Sequence, residues 1–465
     1  MEPIEKWIQA AADLLWGWPL MALLAGTGLW LTLLLRGVQF RRLLPALAMA
    51  FLPGREGRPR AAAPPGGGDI SNFQALMTAL SATVGTGNIA GVATAVAAGG
   101  PGSLFWLFCM GLVGMATKYA EAVLAVEYRV QGAGGATRGG PMYYLERGLG
   151  WKWAGRLFAF FTATAALLGI GNMVQSNSIA EACEASLGTP RWIVGVVVAV
   201  ATLAVLAGGV KSIGKVAAVL VPGMILLYLG GAILVLVLRA DAIPAALRAI
   251  LDGAFSPTAA TGAFAGAGVR EAMRMGIARG LFSNEAGLGS APIAAAAART
   301  NHPVEQALVS MTQTFIDTCL ICMLTGLALL VTGAWISGAT GAPLTAAAFA
   351  SVFPGGGYVV TFSLVLFAWS TILGWAYYGE TALEYLAGTK VIPAYRVLFG
   401  LVAGAGTLLQ AGAVWALGDA CNALMALPNL AALLLLSPVV ARLTREWEAK
   451  ERERPTDLPP PRPAA

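Results

Sequence analysis

Apolar residues in this chain run in long, nearly unbroken segments that short polar loops separate. Most segments are apolar on every face of a helix and are too long for strands, and a helix that crosses a bilayer needs about 20 such residues. The pattern therefore predicts an all-α polytopic membrane protein. Its eleven predicted spans cover residues 12–35, 74–98, 102–128, 154–180, 192–209, 216–238, 276–297, 304–333, 356–386, 394–417 and 420–441.

Composition supports the membrane interpretation and excludes a soluble protein. The 465 residues are 57% hydrophobic and only 12% charged, and the mean hydropathy is +0.71, whereas about a quarter of a soluble domain is charged. The net charge of +6 does not indicate a nucleic-acid partner, because the basic residues lie in short loops between apolar segments. The expected surroundings of the chain are a lipid bilayer.

The distribution of basic residues predicts the orientation. The first apolar segment is followed by Arg36, Arg41 and Arg42, the reverse of the order in a cleavable signal peptide. Since cytoplasmic loops carry an excess of Lys and Arg, we expect a retained first span with its N-terminus outside. The tail from Arg442 is then cytoplasmic, and the membrane is the cell's inner (plasma) membrane.

Few side chains suit metal or nucleophilic chemistry. The only histidine, His302, precedes Pro303 in a loop, and the five cysteines lie mostly inside apolar segments. Zinc sites and Ser-His-Asp triads therefore have almost no components here. We predict no catalytic residues, no enzymatic activity and no organic cofactor.

Two of the ten spans after the first are interrupted by glycine-rich polar stretches, at 81–88 and 282–290. These are the first and sixth of the ten, and Gly85 and Gly287 are as far apart as the starts of the third and eighth spans, near 154 and 356. Five helices per half is an odd number, so the halves would run in opposite directions. The predicted divisions are an extra helix with a linker, two five-helix repeats and a disordered tail, over residues 1–70, 71–240, 241–445 and 446–465.

Paired glycine-interrupted spans in two inverted halves indicate the binding site of a transporter. Amides at a half-helix N-terminus can hold a carboxylate, and freed carbonyls can hold Na⁺. Close helix packing is the alternative for one such stretch. Glu285 and Asp317 are ionisable residues inside spans and hence candidate coupling residues, although each could instead pin a helix. Lys118 and Glu121, one turn apart, predict an internal ion pair.

Six motif blocks are spread over nearly the whole chain and carry a family resemblance: Asp69 to Gly91, Lys118 to Glu121, Gly139 to Tyr144, Gly280 to Pro292, Thr371 to Glu380 and Asn422 to Pro438. The chain resembles the alanine/glycine:cation symporter family, also called the sodium:alanine symporters. The resemblance implies a leucine-transporter-type fold of five plus five inverted helices after one extra helix, with Na⁺- or H⁺-driven uptake of alanine or glycine.

The string Val84-Gly85-Thr86-Gly87-Asn88 is also similar to the first broken span of the neurotransmitter:sodium symporters. This similarity implies that the carbonyls of Ser81, Val84 and Phe367, with the hydroxyls of Ser370 and Thr371, hold Na⁺. Back-bonding to the preceding turn is the alternative role of those two hydroxyls. The candidate substrate-binding residues are Thr86, Gly87, Asn88, Gly171, Asn172, Gln175, Phe282, Ser283, Asn284, Thr371 and Trp375.

The predicted function is thus a secondary symporter that imports a small neutral amino acid with Na⁺ by alternating access. H⁺ remains an alternative driving ion, through Glu285 or Asp317. A membrane channel or receptor that binds amino acids is the alternative from another class, but the chain has no repeated selectivity motif. Accumulation against a gradient separates these alternatives, and the sequence leaves the oligomeric state open.

Overall fold

The computed structural model describes residues 15–52, 67–132, 135–255, 268–409 and 411–453, with 411–417 described by their backbone alone. This part of the chain is helical apart from one short antiparallel hairpin of β1 (Val130–Gln131) and β2 (Thr137–Arg138). The all-α prediction is confirmed for these residues.

The helices up to residue 238 form the first half of the chain. They are α1 (Trp18–Leu34), α2 (Val38–Arg41), α3 (Leu43–Phe51), α4 (Asn72–Thr83), α5 (Val92–Gly99), α6 (Ser103–Glu127), α7 (Pro141–Leu149), α8 (Lys152–Leu168), α9 (Met173–Leu187), α10 (Arg191–Leu206) and α11 (Gly209–Leu238).

The second half begins with the short helix α12 (Ile243–Phe255). It lies in the long connection 239–275, whose charges of both signs predict a short surface helix or a cap. Residues 256–267 of that connection lie outside the described residues. The same is true of most of the Pro- and Gly-rich segment 61–68, which predicts a linker, and of residues 454–465 of the predicted tail. The helices that follow are α13 (Val269–Asn284), α14 (Pro292–Ala296), α15 (Pro303–Thr314), α16 (Met323–Val331), α17 (Gly341–Ala350), α18 (Gly356–Ala387), α19 (Ile392–Gly406), α20 (Ala411–Leu435) and α21 (Ser437–Arg452).

Length and apolarity identify six membrane-spanning helical segments in the described ranges, and seven if the bent pair Asn72–Thr83 and Gly87–Gly99 counts as one span. Large apolar side chains also cover the outer surface: Leu33 is 67% exposed, Val219 79% and Leu226 70%. Because such a surface is suited to hydrocarbon and not to water, the chain is a multi-pass membrane protein.

The first predicted break lies between α4 and α5. A capping box of Ser71 and Gln74 starts α4, which ends at Thr83, and the chain resumes as a π-helical turn over Gly87–Gly91 after a bend of 52°. Gly85 lies against α18, since a β-carbon there would be 2.6 Å from the Thr371 hydroxyl. Glycine therefore permits both the break and the close approach.

The second predicted break separates α13 from α14. Glu285 ends α13 in the left-handed conformation with φ of +55°, and Gly287 and Gly289 follow at +92° and +85°. Glycine adopts such angles freely, but Glu285 does so only under constraint from its surroundings. The chain returns to a helix at Pro292, whose ring suits a first helical turn.

The last two predicted spans have wrong boundaries. The predicted segments 394–417 and 420–441 place a loop near 418–419, but α19 ends at Gly406 and α20 runs without interruption through that position. Glycines at the end of α19 and Pro438 at the start of α21 mark the true boundaries. The predicted span 154–180 is likewise interrupted, at 169–172 between α8 and α9.

Candidate binding site at the two helix breaks

A small cavity lies between the two breaks. It has a volume of about 10 Å³, room for roughly one water molecule. Its walls come from both breaks, from α9 and from α18. The lining residues are Ala82, Thr83, Gly85, Gly87, Ile170, Gln175, Phe282, Ser283, Glu285, Thr371 and Trp375. Gly87, Gln175, Phe282, Ser283, Thr371 and Trp375 were among the predicted substrate-binding residues.

Asn88 and Asp317 join the first break to the π-helical segment Phe315–Cys322. The Asn88 Oδ1 accepts from the Gly85 amide at 2.9 Å, and its Nδ2 donates to the Asp317 Oδ1 at 2.7 Å. Ser283 and Thr318 donate to the other carboxylate oxygen of Asp317, at 2.9 and 2.8 Å. Asn88 thus fixes the break, and Asp317 gathers groups from three elements.

Glu285 connects the second break to α18. Its Oε1 accepts from the Trp375 indole Nε1 at 2.9 Å, and its Oε2 accepts from the Ser290 hydroxyl. Glu285 is 2% exposed and Trp375 is 0% exposed. The carboxylate therefore fixes the orientation of an aromatic ring that forms one wall of the cavity.

The predicted ion-binding atoms lie where α4 meets α18. The Ser370 hydroxyl donates to the Phe367 carbonyl at 2.8 Å and to the Ser81 carbonyl at 3.2 Å, and the Thr371 hydroxyl donates to the Phe367 carbonyl at 3.0 Å. Both hydroxyls are thus back-bonded, as the alternative interpretation expected. They nevertheless converge with two carbonyls, and such neutral, hard oxygen atoms suit Na⁺. The carbonyl of Val84 belongs to the same break, as the C-terminal cap of α4.

Gln175 and Thr86 meet across the cavity wall. The Gln175 Oε1 accepts from the Thr86 amide at 3.5 Å, while its Nε2 donates to the Ile170 carbonyl at 3.0 Å. Gln175 thereby ties the interruption between α8 and α9 to the first break.

Five of the predicted substrate-binding residues lie outside the cavity lining: Thr86 and Asn88, described above, and Asn172, Asn284 and Gly171. Asn172 donates to the Phe399 carbonyl at 3.0 Å. Asn284 donates to the Thr318 hydroxyl at 3.1 Å and accepts from the Ala286 amide at 2.8 Å. Gly171 packs on Trp375, where a β-carbon would lie 2.6 Å from the ring system. The hydrogen bonds of Asn172 and Asn284 and the packing of Gly171 hold the elements around the cavity together.

The sequence identified Lys118 and Glu121 as an ion pair, and the pair is confirmed, with 3.9 Å between the Lys118 Nζ and the Glu121 Oε2. It did not predict that both side chains reach the second break. Asn429 and Tyr144 were missed as well, although both lie inside the matching motif blocks. The Asn429 Nδ2 donates to the Gly287 carbonyl at 2.8 Å, and its Oδ1 accepts from the Tyr144 hydroxyl.

A larger cavity of about 740 Å³ lies on one side of the site, between α5, α9, α13, α17 and α18. Arg279 and Glu181 line it and give it one charge of each sign. The Arg279 guanidinium lies 5.7 Å from the centre of the Phe282 ring, and Phe282 also lines the small cavity. Phe282 is therefore placed between the two cavities.

Ion pairs and backbone contacts close the opposite side. Arg138 donates to Glu384 at 2.7 Å, and Arg396 donates to both oxygens of Glu380, at 2.7 and 2.9 Å. The Asp69 carboxylate accepts from the Thr137 amide at 2.8 Å, which ties the start of α4 to the β-hairpin. These contacts link α18 to the β-hairpin and to α19 on this side of the site.

Comparison with known proteins assigns this architecture to a family. Residues 1–459 match the sequence model of the Sodium:alanine symporter family. A relative named Sodium/alanine symporter AgcS, from Methanococcus maripaludis, is 49% identical over 448 residues, which cover 95% of this chain and 96% of that protein. An uncharacterized transporter of Haemophilus influenzae is 45% identical over 447 residues, 96% of each chain.

The uncharacterized transporter YflA of Bacillus subtilis is 40% identical over 456 residues, which cover 97% of this chain and 95% of YflA. The family resemblance that the sequence motifs predicted is confirmed by these matches. The chain belongs to the sodium:alanine symporter family.

Proposed function

We propose that this chain imports alanine or glycine together with Na⁺, by alternating access around the cavity between its two helix breaks. The cavity carries the proposal, because both broken helices contribute backbone and side chains to one space, the arrangement typical of a transporter's central site. This space widens when the amino acid enters. Family membership and the sodium/alanine symport named for AgcS support both the ion and the substrate.

The substrate binds by its main-chain charges. Its carboxylate is held by the amides of Thr86 and Gly87, at the start of the π-helical turn, where the helix dipole favours an anion. Its ammonium is held on the side of Ser283 and Gln175. Phe282, Ile170 and Trp375 enclose the side chain, and these bulky walls favour a hydrogen atom or a methyl group over longer side chains.

Na⁺ binds at the junction of α4 and α18, to the carbonyls of Ser81, Val84 and Phe367 and the hydroxyls of Ser370 and Thr371. For the ion to bind, the two hydroxyls rotate so that their oxygen lone pairs face it. This ion joins a broken helix to an unbroken one, and its binding therefore orders the carboxylate-binding amides beside it.

Hydrogen bonding at the buried carboxylates favours Na⁺ over H⁺ as the driving ion. The Trp375 Nε1 and the Asn88 Nδ2 can only donate. Each donates to a carboxylate oxygen, of Glu285 and Asp317 respectively. Such donors stabilise the ionised carboxylate. We therefore assign Glu285 and Asp317 to the architecture of the site instead of to proton transfer.

The proposed fold is the five-plus-five inverted arrangement after one extra helix, with repeats over 71–240 and 241–445. With the N-terminus outside and the C-terminal tail in the cytoplasm, the cavity of about 740 Å³ faces the exterior of the inner membrane. The ion pairs of Arg138 and Arg396 then close the cytoplasmic side. This conformation corresponds to an outward-facing state in which Phe282 covers a closed site.

Uptake into proteoliposomes tests the proposal. Purified protein is reconstituted, and radiolabelled alanine uptake is followed under an inward Na⁺ gradient, under a K⁺ gradient and under a pH gradient without Na⁺. Accumulation above equilibrium with Na⁺ alone is the expected result. Accumulation with the pH gradient alone would assign the driving force to H⁺, and equilibration without accumulation would assign the chain to channels.

A further inference from the structure

The second helix break is occupied by a buried charge pair from α6. The Lys118 Nζ donates to the Glu285 carbonyl at 3.1 Å and lies 3.9 Å from the Glu121 Oε2. The side chains of Lys118 and Glu121 are 1% and 0% exposed. Buried charges inside a membrane protein are costly to keep, and most serve a function.

The carboxylate of the pair binds the amides of the same break. The Glu121 Oε1 accepts from the Gly287 and Gly289 amides, each at 3.1 Å, and from the Asn429 Nδ2 at 2.8 Å. The break thus receives an anion on its amides and a cation on its carbonyl. At the first break, the Ser81 carbonyl accepts instead from the neutral Ser370 hydroxyl, at 3.2 Å.

Lys118 acts on the cavity through Glu285. The Glu285 backbone is left-handed, a conformation that a non-glycine residue keeps only when its surroundings hold it. The hydrogen bond from Lys118 to the Glu285 carbonyl is one such constraint. The side chain of Glu285 in turn accepts from the Trp375 indole, which forms a wall of the cavity.

We propose that Lys118 is a built-in cation for the second break. Its ammonium group donates to the carbonyl of Glu285 and thereby positions Glu285 and Trp375 for substrate binding. Lys118 is a positioning residue, because it reaches the substrate through Glu285 and does not line the cavity. The inference rests on the proposed function, which supplies the amino acid as the ligand.

Two roles of Lys118 need to be separated, neutralising Glu121 and holding Glu285. Lys118→Met removes both, and the double variant Lys118→Met/Glu121→Gln removes the buried charge of Glu121 as well, with little change in shape. Lys118→Arg keeps the charge. Lys152→Met is the matched control, since Lys152 is 61% exposed in its pair with Glu146.

The experiment measures binding of radiolabelled alanine to purified protein in Na⁺, together with the thermal midpoint of unfolding. Because a hydrogen bond from a charged group contributes about 1.5–3 kcal/mol, we expect the half-saturating alanine concentration of the double variant to rise about tenfold or more. Its thermal midpoint recovers relative to Lys118→Met. Lys118→Arg retains part of the affinity, and Lys152→Met binds as the unmodified protein does.

If the double variant binds alanine with unchanged affinity, Lys118 serves only to neutralise Glu121 and the inference is wrong. If Lys118→Met folds poorly, the double variant still provides the comparison with the unmodified protein. Absence of alanine binding by the unmodified protein, by contrast, would overturn the proposed function and would be visible before any variant is compared.

Discussion

The Asn88 Nδ2 lies 2.7 Å from the Asp317 Oδ1, and this bond joins the two π-helical segments of the described chain. Both residues are 0% exposed. Asn88 also accepts from the Gly85 amide, inside the first break. A single side chain therefore couples the conformation of the first break to the π-helical segment Phe315–Cys322.

Replacement of Asn88 by Ala tests this coupling. The variant leaves the Gly85 amide and one oxygen of Asp317 without their present partner, which costs about 1–3 kcal/mol for each buried group. We expect Na⁺-driven alanine uptake to fall at least tenfold. Uptake is measured in proteoliposomes and normalised to the amount of folded protein, and undiminished uptake would remove Asn88 from the site.

Two variants of Thr371 test the ion site. Thr371→Ser keeps the hydroxyl group, whereas Thr371→Ala removes it. The Ala variant loses one of the proposed oxygen ligands, so the half-saturating Na⁺ concentration should rise about tenfold. The Ser variant keeps the oxygen and should keep most of the Na⁺ affinity. Equal Na⁺ dependence in both variants would contradict the assignment.

Gly171→Ala tests whether the position of Trp375 controls binding. The added methyl group would lie 2.6 Å from Trp375, a contact that forces the ring to move. We expect a marked loss of alanine affinity with little loss of folded protein. Gly223→Ala is the control, since no atom lies within 4 Å of the added carbon. Similar affinities in the two variants would show that the wall tolerates displacement.

Phe282→Ala tests the size limit and the separation of the two cavities. Removal of the ring joins the small cavity to the one that Arg279 lines. We expect larger neutral amino acids, such as leucine, to compete with alanine uptake in this variant and not in the unmodified protein. A competition profile that stays unchanged would place the size limit on Trp375 or Ile170.

The sequence predicted the two breaks because glycine and polar residues interrupt apolar runs, a signal that depends on local composition alone. It could not predict that Glu121 binds the amides of Gly287 and Gly289, since residues so far apart in the chain meet only through helix packing. The boundary between α19 and α20 was wrong, since the gap between the predicted spans 394–417 and 420–441 lies inside the helix Ala411–Leu435. The interruption at 169–172 was not predicted, because it contains glycines but no long polar stretch.

The small volume of the cavity between the breaks has a consequence for the ion gradients across the membrane. A space of about 10 Å³ holds no continuous file of water, and paired charges of Arg138 and Arg396 block the side opposite the large cavity. If the proposed orientation holds, the described residues therefore leave no water-filled path for Na⁺ or protons through this cavity. Copies that wait for substrate in this conformation would then leave the ion gradients across the membrane intact.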